Sequence, residues 1–395
     1  MQRGLAAEEL GARRARAAVA PLIGVLAEME GPFITHLLAI NPVFEALGAI
    51  GDPAAVGPIL RALELTAGYL LLEPMLETPC EVGCRALVAL GDPAAVPELQ
   101  RLQDAPDAGL YGRHVARALV ALGGTAQAPR FERLLESAPV EVRAASAEAL
   151  QRLGHRAAIP KLQRLADHGD DELRWSARCA LVGLGVPGAE AALQAELQAP
   201  TSASAKSLLM WIFCDHQLTA QADWLDQLVD DTAWSSTSAI AFDTLEFAVR
   251  LGSARARVRA TQLHQDATQS LCARARAACI LLDQGDPQYL EPCLRFLRHA
   301  EEQAVDPRDP RDRYNTTYRE IFDVLRRFGK AHRQHRLAIA EAFHAVIRRS
   351  PDQGFGDLLR HGFSPAIYSG QVLHVLTGTT DEPSLARWRG EQAAA

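Results

Sequence analysis

The six residues GDPAAV stand at 51–56 and again at 91–96, 40 positions apart. Each copy follows an Ala/Leu-rich run, ALGAI before the first copy and ALVAL before the second. Self-similarity at a period of roughly 20–50 residues is typical of solenoid proteins, in which one supersecondary unit is stacked repeatedly. This repeated stretch therefore predicts how the chain folds.

The glycine that begins each copy is an anchor for a longer series. The regular anchors are spaced by 40, 32, 31 and 31 residues and are Gly51, Gly91, Gly123, Gly154 and Gly185. Weaker copies have anchors at Gly252, Gly285 and Gly329. The gap of 67 residues between Gly185 and Gly252 predicts a degenerate repeat that turns near 215–217.

Each unit has the chemistry of a helix–turn–helix pair, with a first helix before the anchor and a second helix after it. Apolar residues recur at spacings of three and four, which places them on one face of each helix. Glycine permits the left-handed backbone that ends the first helix, while Asp and Pro favour the start of the second. Stacked neighbours must bury the apolar faces. The predicted fold class is all-α, an α-solenoid (superhelix) of stacked antiparallel helix pairs.

The order of apolar run, Leu-Gly, Asp-Pro-x-Ala-Val-Pro and Leu-x-x-Leu resembles the HEAT-like repeats of the bacterial phycobilin-lyase type. Arg143, Arg174 and Arg274 each stand 11 residues before an anchor and match that family's usual first-helix arginine. The resemblance covers about 40–190 and about 270–300. It implies a HEAT-like solenoid but not lyase activity, because the same repeat serves many unrelated binding proteins.

The repeat pattern divides the chain into five predicted parts. They are N-terminal capping helices over 1–40, regular HEAT-like repeats over 41–200, degenerate acidic and Trp-rich repeats over 201–250, further HEAT-like repeats over 251–330 with an inserted loop near 301–313, and C-terminal capping helices over 331–395. The apolar segment 17–27 follows three arginines, so a signal peptide is an alternative there. Pro21 and the missing small-residue cleavage site favour a first solenoid helix.

Composition limits the classes of protein. The chain has 395 residues, 48% of them hydrophobic, and a net charge of -7. It has no apolar run of about 20 residues, and its seven cysteines lack a disulfide-framework spacing. We therefore expect a cytoplasmic bacterial protein with reduced cysteines. Cys80 and Cys84 lie one helical turn apart but have no nearby His or Cys, so packing is favoured over metal binding, and no metal or cofactor is predicted.

Catalytic motifs are missing from the sequence. It contains no phosphate-binding Gly-rich loop, no Gly-x-Ser-x-Gly elbow and no His-Glu-x-x-His pattern. No catalytic residue is predicted. The sequence is therefore interpreted as a non-enzymatic protein-binding scaffold or adaptor.

The first candidate binding surface is the acidic stretch 207–249, which contains no Lys or Arg. Its predicted partner-binding residues are Trp211, Trp224, Trp234, Asp223, Asp226 and Asp230. Trp is enriched at interface hot spots, and carboxylates steer a basic partner. The predicted partner is another protein with a basic surface, as for an immunity or antitoxin-like protein that masks a basic toxin. The alternative is core packing of the aromatic residues with a solvated acidic face.

The second candidate surface is a basic stripe on the second helices, called the Arg stripe. It consists of Arg61, Arg101, Arg130, Arg133, Lys161 and Arg164, at seven or ten residues after successive anchors. Second helices line the concave side in HEAT-like folds, where such a stripe could hold an acidic segment or phosphates. The alternative is an ordinary charged surface.

Two further functions are alternatives. The Arg stripe with Trp175 outlines a HEAT-like nucleic-acid-binding protein or DNA glycosylase-like enzyme. The net charge of -7 and the 18 basic against 24 acidic residues over 1–200 oppose it. The resemblance also admits a phycobilin-lyase-like chromophore attachment subunit, although no residue identifies a chromophore site. No membrane partner is predicted, and the oligomeric state is not predicted.

Overall fold

The computed structural model describes residues 3–28, 37–66, 78–105, 112–198, 212–213, 215–221, 239–299, 316–349, 369, 372–373 and 376–377. These residues form α-helices, short 3-10 helices and connecting turns, and none of them lies in a β-strand. The all-α prediction is therefore confirmed.

The chain divides into two compact units. The N-terminal unit comprises Ala6–Trp224, and the C-terminal unit comprises Leu225–Ala395 with Met1–Leu5. Their boundary lies inside the segment 201–250 that the sequence marks as degenerate. The predicted loop near 301–313 lies outside the described residues.

First and second helices alternate along the chain. Up to residue 198, the first helices are α1 Arg3–Ala12, α3 Leu37–Ile50, α5 Pro79–Leu90, α7 Gly112–Gly123, α9 Val140–Arg152 and α11 Asp171–Gly183. The second helices there are α2 Val19–Ala27, α4 Val56–Thr66, α6 Val96–Gln103, α8 Ala128–Ser137, α10 Ile159–His168 and α12 Ala189–Gln198. In the C-terminal unit follow α13 Ala239–Arg250, α14 Ala254–Gln265, α15 Leu271–Asp283, α16 Leu290–His299, α17 Thr316–Ala331 and α18 Arg336–Arg349.

The repeated motif GDPAAV forms the predicted turn. Gly91 has φ +68° and its N–H reaches the carbonyl groups of Leu87 and Val88 at 3.1 Å, which ends α5. The Asp92 carboxylate accepts a hydrogen bond from the Ala94 amide at 2.9 Å, and Pro93 begins a 3-10 turn that leads into α6. Each residue of the motif therefore has the conformational role that its type predicts.

Two anchors differ from the prediction. Gly123 is the last residue of α7, and its neighbour Gly124 takes the left-handed conformation with φ +54°. Gly329 lies inside α17, which continues to Ala331. A Cβ on Gly329 would meet Leu376 Cδ2 at 2.9 Å, so close packing rather than a turn explains this glycine.

The first helices form the closely packed layer of the N-terminal unit. Successive first helices from α3 to α11 pack on one another, and the second helices α6, α8 and α10 pack mainly on the first helix that follows each of them. Small residues permit this approach: a Cβ on Gly48 of α3 would lie 3.0 Å from Ala86 Cα of α5. The expectation that the second helices line the concave side stays a prediction.

The degenerate repeat turns where the spacing predicts. Residues 212–213 and 215 are helical, and the Leu218 N–H reaches the Phe213 carbonyl at 3.4 Å. Gln217 has φ +53°, the left-handed conformation of the anchor glycines, and a 3-10 turn Thr219–Gln221 follows. The predicted turn near 215–217 is therefore confirmed, with glutamine in the place of glycine.

The structure also describes the apolar segment 17–27 and the cysteine pair Cys80 and Cys84, for which the sequence left alternatives. Segment 17–27 contains helix α2, whose residues Val19, Leu22 and Leu26 are buried. Cys80 and Cys84 are buried on α5, and in the described part of the chain no group of three or more His, Cys, Asp or Glu residues is arranged to hold a metal ion. No helix in the same part is long and apolar enough to cross a bilayer.

Candidate functional site

A cluster of charged side chains lies on the first helices of the N-terminal unit. It consists of Arg113 and Arg117 of α7, Glu148 and Arg152 of α9, and Asp215, and is called the arginine cluster. Glu148 is only 2% exposed. Its Oε1 accepts hydrogen bonds from Arg117 Nε at 2.8 Å and from Arg152 Nε at 2.7 Å. One buried carboxylate therefore joins two guanidinium groups from neighbouring helices.

The arginine cluster also binds the turn 215–217, about 100 residues further along the chain. Arg117 Nη2 donates to Asp215 Oδ1 at 2.7 Å, and Arg113 pairs with the other carboxylate oxygen. Arg152 Nη2 donates to the Asp215 main-chain carbonyl at 3.0 Å. Burial would raise the pKa of Asp215, but attraction and hydrogen bonds from the two α7 arginines hold it below its usual value.

His216 is fixed by α9 and α11. Its ring is 3% exposed, with Nε2 at 3.0 Å from Ser176 Oγ and Nδ1 against Gln151 Oε1. Gln151 Nε2 donates to the His216 carbonyl at 2.9 Å. Burial, the main cause, and nearby arginines lower the pKa of His216 to about 3, so the ring is neutral at pH 7. Ser176 and His216 resemble a nucleophile–base pair, but Ser176 is 2% exposed, so this pair is a packing contact.

The neutral state of His216 predicts a loss of stability on acidification. Its pKa in the folded state is below the unfolded value, so its contribution is present above about pH 6.5 and is lost as the pH falls toward 3. Between pH 6.5 and pH 5 we expect a loss of about 2 kcal/mol from this residue. His216→Gln should show a pH dependence flatter by that amount in urea denaturation. Identical slopes for both proteins would contradict the prediction.

Two cavities adjoin the arginine cluster and share Arg117 and Ala121. The larger, about 520 Å³, is lined by Arg117, Val120, Ala121, Gln151, Arg152, His216 and Gln217. The smaller, about 310 Å³, is lined by Glu81, Cys84, Arg85, Val88, His114, Arg117, Ala118 and Ala121. Burial and the adjacent arginines lower the pKa of His114 to about 4, so this ring is also neutral at pH 7.

The Arg stripe lies on second helices, as predicted, but acidic residues accompany it. The described pairs are Arg101 with Glu64, Arg130 with Asp104 at 2.6 Å, Lys161 with Glu132 at 3.3 Å and Arg164 with Glu136 at 3.5 Å. In each pair the carboxylate comes from α4, α6 or α8, or the residue after it, and the base from the next second helix. This surface therefore alternates in charge, which weakens its attraction for an anionic partner.

Of the tryptophans that the sequence singles out, Trp175 lies in the described part of the chain. Trp175 is 1% exposed, and its Nε1 donates to Glu196 Oε2 of α12 at 3.3 Å. It therefore packs in the core and has no free ring face for a flipped base. The residues Trp211, Trp224, Trp234, Asp223, Asp226 and Asp230 lie outside the described residues, and the acidic surface stays a prediction.

Sequence reasoning missed the arginine cluster as a site. The turn near 215–217 was expected, but nothing in the repeat spacing indicates that it returns to α7 and α9. One signal was present in the sequence, because Glu148 interrupts an Ala/Leu run that is otherwise typical of a buried helix face. A buried carboxylate needs partners, which would have directed attention to nearby arginines.

Family comparisons agree with this fold. The chain matches the model for HEAT repeats over residues 128–210 and the model for the PBS lyase HEAT-like repeat over residues 45–64. The chain therefore contains HEAT repeats, and the stretch 45–64 is of the PBS lyase HEAT-like type. These matches confirm the resemblance that the Gly-Asp-Pro motif indicates. No curated protein sequence matches the chain significantly.

Two of the solved structures that are similar to this chain differ in how much of it they cover. One is the complex of CpcE and CpcF of phycocyanin lyase from Nostoc sp. PCC7120, with 23% identity, 63% of this chain and 88% of that chain covered, and a TM-score of 0.32. The other is an engineered protein, with 14% identity, 94% of both chains covered and a TM-score of 0.21. The family assignment rests on the two repeat matches.

Proposed function

We propose that this HEAT-repeat protein is a scaffold that binds another protein on the surface formed by the first helices α5, α7, α9 and α11 of its N-terminal unit, called the first-helix face. The observation that carries the proposal is the binding of the turn 215–217 by α7, α9 and α11. Side chains of three helices hold one turn, and two of their hydrogen bonds reach main-chain carbonyls, from Arg152 and from Gln151. This is the contact chemistry by which a helical face holds a polypeptide segment.

The same face continues from α7 to α5, beyond the residues that contact the turn. Val88 of α5 is 38% exposed and lines the smaller cavity with Arg85 and His114. A partly apolar cavity beside charged groups suits a side chain from a partner, because apolar contact contributes affinity and the charges determine orientation. A protein that binds here would need no rearrangement of the turn 215–217.

A variant of Val88 tests the proposal in an affinity capture with a matched control. Val88→Glu places a charge at the smaller cavity, and we expect recovery of the bound protein to fall by about tenfold or more. Val258→Glu is the control, because Val258 is 56% exposed on α14 of the C-terminal unit. Equal recovery with both variants would reject this face as the binding surface.

The finer hypothesis is a basic partner, such as a toxin masked by an immunity-like protein, held by the acidic Trp-rich segment. Its support is the charge and the aromatic content of 207–249. In the same capture, Trp224→Ala and Trp234→Ala should each weaken binding by about 2 kcal/mol if this segment is the site. Arg133→Glu with Arg164→Glu tests the Arg stripe in the same way. If recovery of the bound protein falls with one of these sets of variants but not with Val88→Glu, the binding site is the surface that carries that set.

A further inference from the structure

We propose that the larger cavity of the N-terminal unit is a binding site for an anionic group, a carboxylate or a phosphate, held between Arg117 and Arg152. This site is additional to the proposed protein-binding function. A free anion would bind in the cavity whether or not a protein occupies the neighbouring face of α5.

The two guanidinium groups are fixed side by side. Both Nε atoms donate to the same oxygen, Glu148 Oε1, at 2.8 and 2.7 Å. Both Nη2 atoms donate to Asp215, that of Arg117 to the carboxylate at 2.7 Å and that of Arg152 to the main-chain carbonyl at 3.0 Å. Within the described residues, the Nη1 atom of each arginine has no hydrogen-bond partner. Both arginines line the same cavity.

The lining of the cavity suits an anion. Its described part contains two arginines, two glutamines and the neutral ring of His216, and no acidic residue. Around it, Arg113, Arg117 and Arg152 pair with three carboxylates, Glu148, Asp215 and Glu172, so these charges balance. In the described lining itself, however, the charged residues are the two arginines, and charge-assisted hydrogen bonds from them suit an oxyanion.

The fold already shows that this cluster binds a carboxylate, because Arg113 and Arg117 hold both oxygens of Asp215. The cavity volume of about 520 Å³ lies within the range of roughly 300–1,000 Å³ that is usual for small-molecule sites. A di- or tricarboxylate, a phosphate or the acidic side chain of a bound protein would each fit such a volume. The shared chemistry is an oxyanion between two arginines.

Titration calorimetry with three probes tests the site and separates the sources. The probes are inorganic phosphate, citrate and a capped hexaglutamate peptide, each at an ionic strength matched with sodium chloride. We expect the wild-type protein to bind at least one of them. Binding of phosphate or citrate indicates a free small anion, whereas binding of the peptide alone indicates an acidic segment of a protein.

The decisive variant is Ala121→Glu, with Ala121→Gln as its control of equal size. Ala121 is exposed on α7 and lines the cavity, so the added carboxylate would occupy the site from within the chain. We expect Ala121→Glu to weaken binding by about tenfold or more and Ala121→Gln to leave it within about twofold.

Gln217→Glu provides a second, isosteric test at an exposed residue of the same lining. It should weaken binding in the same way as Ala121→Glu, which keeps the proposal testable if the α7 variant fails to fold. Absence of binding in all three titrations would overturn the proposal. Binding that both glutamate variants leave unchanged would overturn it as well.

Discussion

Glu148→Gln is expected to lower the free energy of unfolding by about 3–5 kcal/mol, although the side chain keeps its size. Glu148 is 2% exposed and accepts hydrogen bonds from Arg117 and Arg152. Without the charge of Glu148, the guanidinium groups of Arg113, Arg117 and Arg152 lie close together. The Asp215 carboxylate then pairs with two of them, Arg113 and Arg117. Removing one partner from a buried ion pair is costly because the remaining charges stay partly buried and lose the compensation that Glu148 provides. Urea denaturation of the full chain measures the loss.

Glu141→Gln is the matched control for this prediction. Glu141 lies on the same helix α9, but it is exposed, so its replacement should change the stability by no more than about 0.5 kcal/mol. Glu148→Gln combined with Arg152→Gln should be less destabilising than the sum of the single variants, because one unpaired cation is removed. A loss below about 1 kcal/mol for Glu148→Gln would show that water screens the arginine cluster.

Trp175→Ala is expected to cost about 3–5 kcal/mol, because it opens a large cavity in a close-packed core. Trp175 is among the largest side chains that are fully buried, and it links α11 to Glu196 of α12. Thermal and urea denaturation should both show the loss. The same result would decide against a role for this ring in stacking on a nucleic-acid base.

Trp175→Phe separates packing from hydrogen bonding at this position. Phenylalanine keeps most of the apolar volume but lacks the indole N–H, so we expect a much smaller loss than for alanine. A change of less than about 1 kcal/mol in Trp175→Ala would mean that the side chain is accessible to solvent. That outcome would return the glycosylase-like alternative to consideration.

The sequence predicted the local features of the candidate site but not the contacts between residues that are far apart along the chain. The position of the turn near 215–217 could be predicted from the spacing between Gly185 and Gly252, because the same helix–turn–helix pattern recurs in each repeat. Its contacts with Arg113 and Arg117 did not follow, because they join residues about 100 positions apart. The Arg stripe was placed on the correct helices, but its acidic partners depend on how neighbouring second helices are aligned.

The sequence by itself determined the repeat, the helix pairs and their turns. Gly91, Asp92 and Pro93 act through their own backbone and the next few amides, so their effect can be read from residue type alone. Only the tertiary structure decided which helices form the closely packed layer and which charges meet within it. That choice depends on how closely helix axes approach and on which long side chains converge. Glu148, Arg117 and Arg152 show this, since three ordinary charged residues become one buried cluster only when α7 and α9 are packed together.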